Sequence, residues 1–168
     1  MEIILIVAVS SYNNGIGKNN DLLWRLPGDM NFFRSQTIGY PIITGRKNYE
    51  SIPEKFRPLS ERENIIVTRQ DIKYEGAQVC SSIQEAIEMA SSHQKNKIFI
   101  IGGGQIYKQC LELDIIDKLL ITWVEANIEA DIFFPSIDSK WKIISQKKNK
   151  FDDKNPYTYT FTEYIKSN

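Results

Sequence analysis

Short runs of apolar residues, many of them β-branched, recur along the chain and are bounded by turn residues. The runs at 3–7 and 98–101 are continuous rather than alternating, which is typical of strands covered on both faces. Strands are predicted at 2–10, 40–44, 63–68, 76–80, 97–102, 117–125, 140–148 and 156–165. Helices are predicted at 27–36, 46–52, 82–92 and 104–113. Since helices alternate with strands, the pattern indicates an α/β fold with a mostly parallel central sheet of about eight strands flanked by four helices.

The last two predicted strands form a unit of a different kind. Tyr157, Tyr159 and Phe161 alternate with threonines, and a strong turn signal at 152–156 precedes them. This pattern predicts an antiparallel hairpin at the edge of the sheet. Because no linker, repeat or change of composition interrupts the chain, we expect a single domain over residues 1–168.

Within the segment 21–34, the acidic residue Asp29 lies among large apolar side chains. Pro27 suits the first turn of a helix, because its fixed φ is helical and its missing N–H is not needed there. With a helix beginning near Pro27, one apolar stripe follows helical spacing: Leu26, Met30, Phe33 and Thr37. Asp29 lies on the flank of that stripe. It is either an ordinary first-turn acid or a half-sheltered functional carboxylate, and both interpretations stay open.

The direction in which the pKa of Asp29 shifts does not follow from the sequence. The partial positive charge of a helix N-terminus favours the carboxylate and lowers its pKa. Desolvation among apolar neighbours favours the neutral acid and raises its pKa.

A glycine-rich turn at 102–104 follows a predicted buried strand and opens a predicted helix. Such a turn lets a phosphate approach the backbone N–H groups of a helix N-terminus. It matches neither the GxGxxG fingerprint nor the P-loop, so a tight turn packed on a neighbour is an equal alternative. The segment 11–25 is predicted to be a long loop, and loops of this length are often functional.

Basic residues follow two of the predicted strands. Arg46 and Lys47 come after the strand at 40–44, and Arg69 comes after the strand at 63–68. Ligands of α/β sheets bind at the carboxyl ends of strands, so these side chains are candidates for a phosphate site, with solvated surface charge as the alternative. Arg57 and Arg62 lie in a connecting segment, where the sequence alone favours a surface position.

Composition excludes several classes of function. Lys+Arg and Asp+Glu are both 21, so no global charge attracts nucleic acid or an anionic membrane. Cys80 and Cys110 have no metal-ligand spacing and are expected to be reduced core residues. His93 lies in a polar run and reads as a surface loop residue. The apolar N-terminus is short and lacks a basic start and a small-residue cleavage site, so neither a signal peptide nor a membrane span is predicted and a cytoplasmic location is expected.

These features combine into one hypothesis about chemistry. A phosphate-rich ligand would lie on one side of a cleft, and a planar apolar ligand would lie against Phe33 beside Asp29. With no metal cluster and no nucleophile–base pair, an acid beside a nucleotide cofactor points to hydride transfer.

The chain resembles the dihydrofolate reductases over nearly its whole length. The motifs that carry the resemblance occur in the family's order, at 15–17, 22–29, 45–47, 101–107 and 131–135. Any one of these motifs is weak evidence, whereas all of them in order at the expected spacing are specific. Leu23, Asn48, Tyr49 and Gln105 depart from residues that are common in the family.

The resemblance implies that NADPH reduces 7,8-dihydrofolate to tetrahydrofolate, with hydride delivered to C6 and a proton to N5. It implies that Asp29 accepts hydrogen bonds from the 2-amino group and N3 of the pterin. Thr122 would join this carboxylate through water, and Trp24 would border the same network, so that Asp29, Trp24 and Thr122 are the expected catalytic residues. A water molecule, rather than Asp29, is the implied proton donor.

The resemblance also implies the residues that line the site, and it implies no metal ion. The expected substrate-binding residues are Ile6, Val7, Asp29, Met30, Phe33, Ile52, Leu59, Arg62, Ile101, Tyr107 and Thr122. The expected cofactor-binding residues are Ala8, Ile16, Gly17, Asn20, Leu22, Gly45, Arg46, Lys47, Asn48, Thr68, Arg69, Gly102, Gly103, Gly104, Gln105, Ile106 and Tyr107. The implied role of Arg62, pairing with the glutamate α-carboxylate of folate, opposes the surface position favoured above. The resemblance further implies a cis peptide bond between Gly102 and Gly103.

Two other functions remain as alternatives. One is a reductase of riboflavin synthesis, an enzyme of the same fold that acts on a ribosylamino-pyrimidine. The other is a non-catalytic folate- or nucleotide-binding protein. The set Trp24, Asp29 and Phe33 suits a pterin and argues against the first alternative, whereas Asp29 together with the glycine turn argues against the second. The balanced charge and the lack of an obvious apolar patch favour a monomer.

Overall fold

The computed structural model describes the whole chain, residues 1–168. The strands are β1 (Glu2–Ser10), β2 (Gly15–Gly17), β3 (Ile42–Gly45), β4 (Asn64–Val67), β5 (Gln78–Cys80), β6 (Lys97–Gly102), β7 (Lys118–Val124), β8 (Ile132–Phe133), β9 (Trp141–Asn149) and β10 (Tyr159–Lys166). The helices are α1 (Pro27–Thr37), α2 (Arg46–Ser51), α3 (Ile83–Ser91) and α4 (Gly104–Glu112). A 3₁₀ turn lies at Glu54–Phe56.

Eight of these strands form one sheet in the order β5-β4-β3-β6-β1-β7-β10-β9. The pairings from β5 to β7 are parallel, whereas β10 runs antiparallel to both β7 and β9. The predicted α/β class, the mostly parallel sheet and the antiparallel C-terminal hairpin are confirmed. The hairpin's second strand begins at Tyr159 rather than at 156, because the residues before it belong to the turn.

The prediction of an entirely irregular loop at 11–25 is wrong. Gly15–Gly17 forms β2, which pairs with β8 in a separate two-stranded sheet. Strands of three and two residues are too short to show the alternation from which a strand is recognised, and glycine is not a strand former.

Successive residues of β1 and β6 enter two separate cores, as their continuous apolar runs predict. Leu5 and Val7 pack in the larger core with Ile98 and Ile100. The intervening side chains enter a smaller core on the opposite face, which contains Ile4, Ile6, Phe99 and Ile101. Each fully buried aliphatic side chain contributes roughly 1.5–3 kcal/mol to folding, so the two central strands anchor both layers.

Only part of the predicted apolar stripe of helix α1 packs against the rest of the protein. Leu26 and Thr37 are buried, but Met30 is 53% exposed. Phe33, a member of the stripe, packs against the smaller core together with Phe32, and Phe32 stacks on Phe161 with ring centroids 4.0 Å apart. Two adjacent aromatic rings therefore dock the helix, and Met30 is left outside the packed face.

The two cysteines, the histidine and the helices can be compared with the predictions drawn from the composition. Cys80 and Cys110 are buried and unpaired, as predicted. His93 lies in the turn after α3, partly exposed, with Nε2 3.2 Å from Oε1 of Gln78. No helix of this fold combines the length and apolar character needed to cross a bilayer.

Asn64, at the start of β4, fixes the loop that precedes it. Its Oδ1 accepts a hydrogen bond from the backbone N–H of Leu59 at 2.8 Å. Its Nδ2 donates to the carbonyl oxygens of Leu59 at 2.9 Å and Arg62 at 2.8 Å. Because Asn64 is only 2% exposed, these backbone groups have little water to replace it.

Asn64→Ala is therefore expected to lower the free energy of unfolding by about 1–3 kcal/mol, because it leaves buried backbone groups unpaired. Urea denaturation measures the change, with the exposed Asn96→Ala as the matched control. Equal stability of the two variants would contradict the structural role of Asn64.

Candidate active site

A cleft of about 1190 Å³ opens at the carboxyl ends of the parallel strands. This is the edge of an α/β sheet where ligands bind. The following predicted cofactor residues line it: Ala8, Ile16, Gly17, Asn20, Leu22, Gly45, Arg46, Lys47, Asn48, Thr68, Arg69, Gly103, Gly104, Gln105, Ile106 and Tyr107. Gly102 is the one predicted cofactor residue that does not line it.

Gly102 lies behind the lining of the cleft, at a position that requires glycine. Its φ is +111°, and an added Cβ would lie 2.9 Å from Cζ and from the hydroxyl oxygen of Tyr107. The peptide bond between Gly102 and Gly103 is cis, as the resemblance implied. At Gly104 an added Cβ would lie 2.8 Å from Cγ2 of Ile132, so the small second sheet approaches the turn closely.

Two polar side chains hold the glycine turn in place. Thr44 donates through Oγ1 to the carbonyl oxygen of Gly102 at 2.9 Å. Asn48 donates through Nδ2 to Thr44 Oγ1 at 2.9 Å and to the carbonyl oxygen of Ile101 at 3.3 Å. Asn48 thus supports the turn, although it departs from the family's common residue.

Helix α4 begins directly after this turn and has no side-chain cap. Its N-cap residue is Gly103, which has no side chain to accept from the first-turn N–H groups. These N–H groups and the helix dipole favour an anion at the turn. The interpretation of the turn as a phosphate site is therefore compatible with the geometry.

Basic side chains line the same cleft. Arg46 forms an ion pair with Glu50, with Nη1 2.9 Å from Oε2, and Lys47 and Arg69 line the cleft with it. Tyr74 donates a hydrogen bond to the same Glu50 carboxylate. Burial, together with that hydrogen bond, raises the pKa of Tyr74 to about 12, so its hydroxyl remains a donor at neutral pH. Arg46, Lys47 and Arg69 form a cationic region that suits a phosphate.

Asp29 is held by a direct hydrogen bond. Thr122, on β7, donates through Oγ1 to Oδ1 of Asp29 at 2.7 Å. The water-mediated link implied by the resemblance is therefore wrong in this structure, because the two side chains lie within direct reach. Asp29 is the third residue of α1, so the helix start and the strand together position the carboxylate.

The structure also gives the direction of the pKa shift that the sequence left open. Burial raises the pKa of Asp29 above its usual value, and the hydrogen bond from Thr122 offsets only part of that rise. The charge of Asp29 acts on Tyr107, whose pKa is raised mainly by burial and further by Asp29. Tyr107 lines the cleft and donates through its hydroxyl to the carbonyl oxygen of Ile6 at 2.8 Å.

The predicted substrate residues are brought together in part. Val7, Ile101 and Tyr107 line the cleft, as does the predicted catalytic residue Trp24. Ile6 and Ile101 belong to the smaller core, and Phe33 and Leu59 pack against it. Met30 is exposed and Ile52 is half-buried, and neither lies within these two groups.

Arg62 is not a free surface side chain. It donates through Nη1 to Oγ1 of Thr37 at 3.0 Å and through Nε to the carbonyl oxygen of Ser60 at 2.9 Å. Its guanidinium carbon lies 6.0 Å from the centroid of the Phe33 ring. The surface position favoured from the sequence is therefore wrong, because α1 and the preceding loop hold the guanidinium at a half-buried position.

Several cleft residues were not predicted from the sequence. They are Asp21, Ser51, Val67, Gln70, Ser81, Ser82, Lys108, Gln109 and residues 131–135. Ser81 and Ser82 follow a parallel strand, β5, so the strand-end rule that selected Arg46 and Arg69 also applies to them. Residues 131–135 carried the resemblance, but no site role was given to them.

The fold and the cleft together define an α/β protein whose strand-end cleft suits a nucleotide ligand. A sequence model of the family described as dihydrofolate reductase matches residues 2–166. The dihydrofolate reductase of Bacillus subtilis is 40% identical over 158 residues, which cover 93% of this chain and 90% of that protein. The enzyme of Haemophilus influenzae is 38% identical over 162 residues, covering 96% of each chain.

A solved structure of dihydrofolate reductase from Enterococcus faecalis, complexed with NADP(H) and RAB-propyl, superimposes with a TM-score of 0.89. It is 30% identical in sequence, and the match covers 99% of this chain and 97% of that one. The chain belongs to the dihydrofolate reductase family.

The raised pKa of Asp29 has a consequence for stability. At pH values between the pKa of Asp29 in the unfolded chain and its higher pKa in the folded chain, the folded chain binds more protons than the unfolded chain. The free energy of unfolding therefore falls as the pH rises through that window. Asp29→Asn removes the half-buried charge and leaves an oxygen that can accept from Thr122. The variant should therefore be more stable than the wild type at neutral pH, with the difference disappearing below about pH 4.

Thermal unfolding across this pH range measures the effect. Asp153→Asn, at an exposed position, makes the same change of net charge and serves as the control. A stability difference for Asp29→Asn that does not vary with pH would contradict the assignment.

Proposed function

We propose that this chain catalyses the NADPH-dependent reduction of 7,8-dihydrofolate to 5,6,7,8-tetrahydrofolate. The observation that carries the proposal is the half-buried carboxylate of Asp29, to which Thr122 of β7 donates a hydrogen bond at 2.7 Å. Membership of the dihydrofolate reductase family supports the choice of substrate. The NADP(H) complex of the Enterococcus faecalis enzyme supports the choice of cofactor.

Asp29 orients the pterin in this proposal. Thr122 donates to Oδ1, and the carboxylate has further acceptor capacity, because each oxygen can take more than one hydrogen bond. The 2-amino group and N3 of the pterin supply donors that match the two carboxylate oxygens. This pairing fixes which face of the ring is presented, and Trp24 closes the neighbouring wall.

The reduction needs a hydride at C6 and a proton at N5 of the pterin. Bound NADPH supplies the hydride. The negative charge of Asp29 raises the proton affinity of N5, and a water molecule delivers the proton. Asp29 therefore acts on the reaction through orientation and charge rather than as the proton donor.

The remainder of folate extends toward α1 and the loop before β4. Phe33, Leu59, Ile52 and Met30 form the apolar walls for the aminobenzoyl ring in this proposal. Arg62 pairs with the α-carboxylate of the glutamate, and its bonds to Thr37 and Ser60 orient the guanidinium. A planar guanidinium suits a carboxylate through two parallel hydrogen bonds.

The cofactor occupies the glycine turn and the cationic region. The residues present fit NADPH, because the first turn of α4 has no side-chain cap and Arg46, Lys47 and Arg69 line the same cleft. Gln105 carries no charge, so these three cations provide the preference for the 2′-phosphate. We further propose that the protein is a cytoplasmic monomer acting on small molecules.

The proposal predicts that the purified protein consumes NADPH only when dihydrofolate is present. Asp29→Asn should lower kcat sharply at neutral pH, with partial recovery as the pH falls and the substrate is more readily protonated. The loss of reduced-nicotinamide absorbance and the chromatographic yield of tetrahydrofolate measure this. Folded protein that binds both ligands without turnover would identify a non-catalytic binding protein, and turnover of a ribosylamino-pyrimidine alone would identify the riboflavin-type reductase.

Arg46→Ala should raise the KM for NADPH by up to about 10-fold, because a charge-assisted hydrogen bond contributes about 1.5–3 kcal/mol and the existing pairing with Glu50 reduces the net loss. The KM for NADH should change less than about twofold, since NADH has no 2′-phosphate. Glu50→Gln is the matched control, because it removes the other half of the ion pair and leaves the cation. Arg69→Ala should behave like Arg46→Ala, and equal losses with both cofactors would contradict a 2′-phosphate contact.

A further inference from the structure

The start of helix α1, which carries Asp29, lacks a cap of its own. Leu26 is the N-cap residue and makes no side-chain cap hydrogen bond, and Pro27 has no N–H. The N–H of Met30 is bonded to the carbonyl oxygen of Leu26. The N–H of Gly28 is satisfied from 127 residues away, by Oδ1 of Asn155 at 2.9 Å.

Asn155 lies in the turn between β9 and β10 and is only 7% exposed. Its Nδ2 donates to Oδ1 of Asp152 at 3.0 Å, which leaves its own Oδ1 directed to the helix. The same Asp152 oxygen accepts from the backbone N–H of Asn155 at 2.7 Å and of Lys154 at 2.9 Å. These hydrogen bonds hold the pKa of Asp152 below its usual range, so its carboxylate stays charged at neutral pH.

Tyr159, at the start of β10, reinforces the same contact. A Cβ added to Gly28 would overlap the Tyr159 hydroxyl, so only glycine lets the helix start lie this close to the hairpin. Tyr159 pairs in register with Val124 of β7, two residues beyond Thr122. Helix α1 is therefore held at two points. Tyr159 of β10 contacts its first turn at Gly28, and Thr122 of β7 donates to the carboxylate of Asp29.

We propose that Asn155 is a positioning residue for Asp29, and that the turn 152–155 sets how deeply the carboxylate is buried. Asn155 lies in the hairpin turn rather than among the residues that line the cleft, so it acts through Gly28 and the adjoining backbone. The inference rests on the proposed function for its kinetic consequence only.

The expected effect of Asn155→Ala is selective. Without the cap the first turn of α1 loosens, and the KM for dihydrofolate should rise about 3- to 10-fold, in line with the loss of one helix cap. The KM for NADPH should stay within about twofold, because the glycine turn and the cations lie on other elements. Burial is the larger cause of the raised pKa of Asp29, so greater exposure should move that pKa to a lower value.

The pKa of Asp29 can be followed by the NMR chemical shift of its carboxyl carbon. The other titratable groups that sense its charge, Tyr107 on α4 and Tyr159 on β10, both have raised pKa values and stay neutral over this range. The chemical shift therefore reports the burial of Asp29 without interference from either.

Asn149→Ala is the matched control. Its amide belongs to the same hairpin and donates to the carbonyl oxygens of Lys147 at 3.2 Å and Tyr159 at 3.4 Å, but not to α1. If Asn155→Ala and Asn149→Ala lose similar stability and neither changes the pKa of Asp29 or the KM for dihydrofolate, Asn155 is merely structural and the proposal is overturned.

A second variant covers the case in which Asn155→Ala does not fold. Asp152→Asn keeps Asn155 and weakens the bonds that orient it, so a smaller decrease in the pKa of Asp29 is expected. An unchanged pKa in folded Asp152→Asn would also overturn the proposal. A wild type that does not reduce dihydrofolate would refute the proposed function alone, since the pKa readout tests the positioning without turnover.

Discussion

The hydrogen bond from Thr122 to Asp29 is the interaction on which the arrangement of this site depends. It joins the first turn of α1 to a strand in the interior of the central sheet. Burial favours the neutral form of Asp29, whereas the hydrogen bond from Thr122 favours the carboxylate, which is the form that would attract the protonated edge of a pterin. The helix position, the strand register and the chemistry therefore share one contact.

The central sheet was predictable because its strands leave a strong local signal. Residues 3–7 and 98–101 are apolar at every position, and the structure divides them between two cores, as such runs predict. The strands β2 and β8 left no comparable signal, because they owe their pairing to backbone groups brought together by distant parts of the chain. Met30 was placed wrongly because helical spacing does not tell which of several apolar side chains will meet the sheet.

The site was predictable to a similar degree, and for a related reason. Glycine and basic residues at strand ends identify the cofactor region because position along a parallel strand already implies the same edge of the sheet. Asn155 was not predictable in this way. Its hydrogen bond to Gly28 crosses 127 residues, and an asparagine in a turn is expected on local grounds alone. The same limit applies to Arg62, whose surroundings depend on how α1 packs against the loop that precedes β4.

In the proposed complex, the ion pair between Arg46 and Glu50 makes cofactor binding an exchange of partners. An incoming 2′-phosphate would meet a guanidinium that a carboxylate already neutralises and orients, and Tyr74 in turn donates to that carboxylate. The net gain is then the difference between two pairings rather than the full strength of one, because a cation with a partner has less to gain from another. When the proposed cofactor leaves, Glu50 would again balance the charge of Arg46. An enzyme that must release its cofactor in every cycle benefits from a site in which departure leaves no isolated charge.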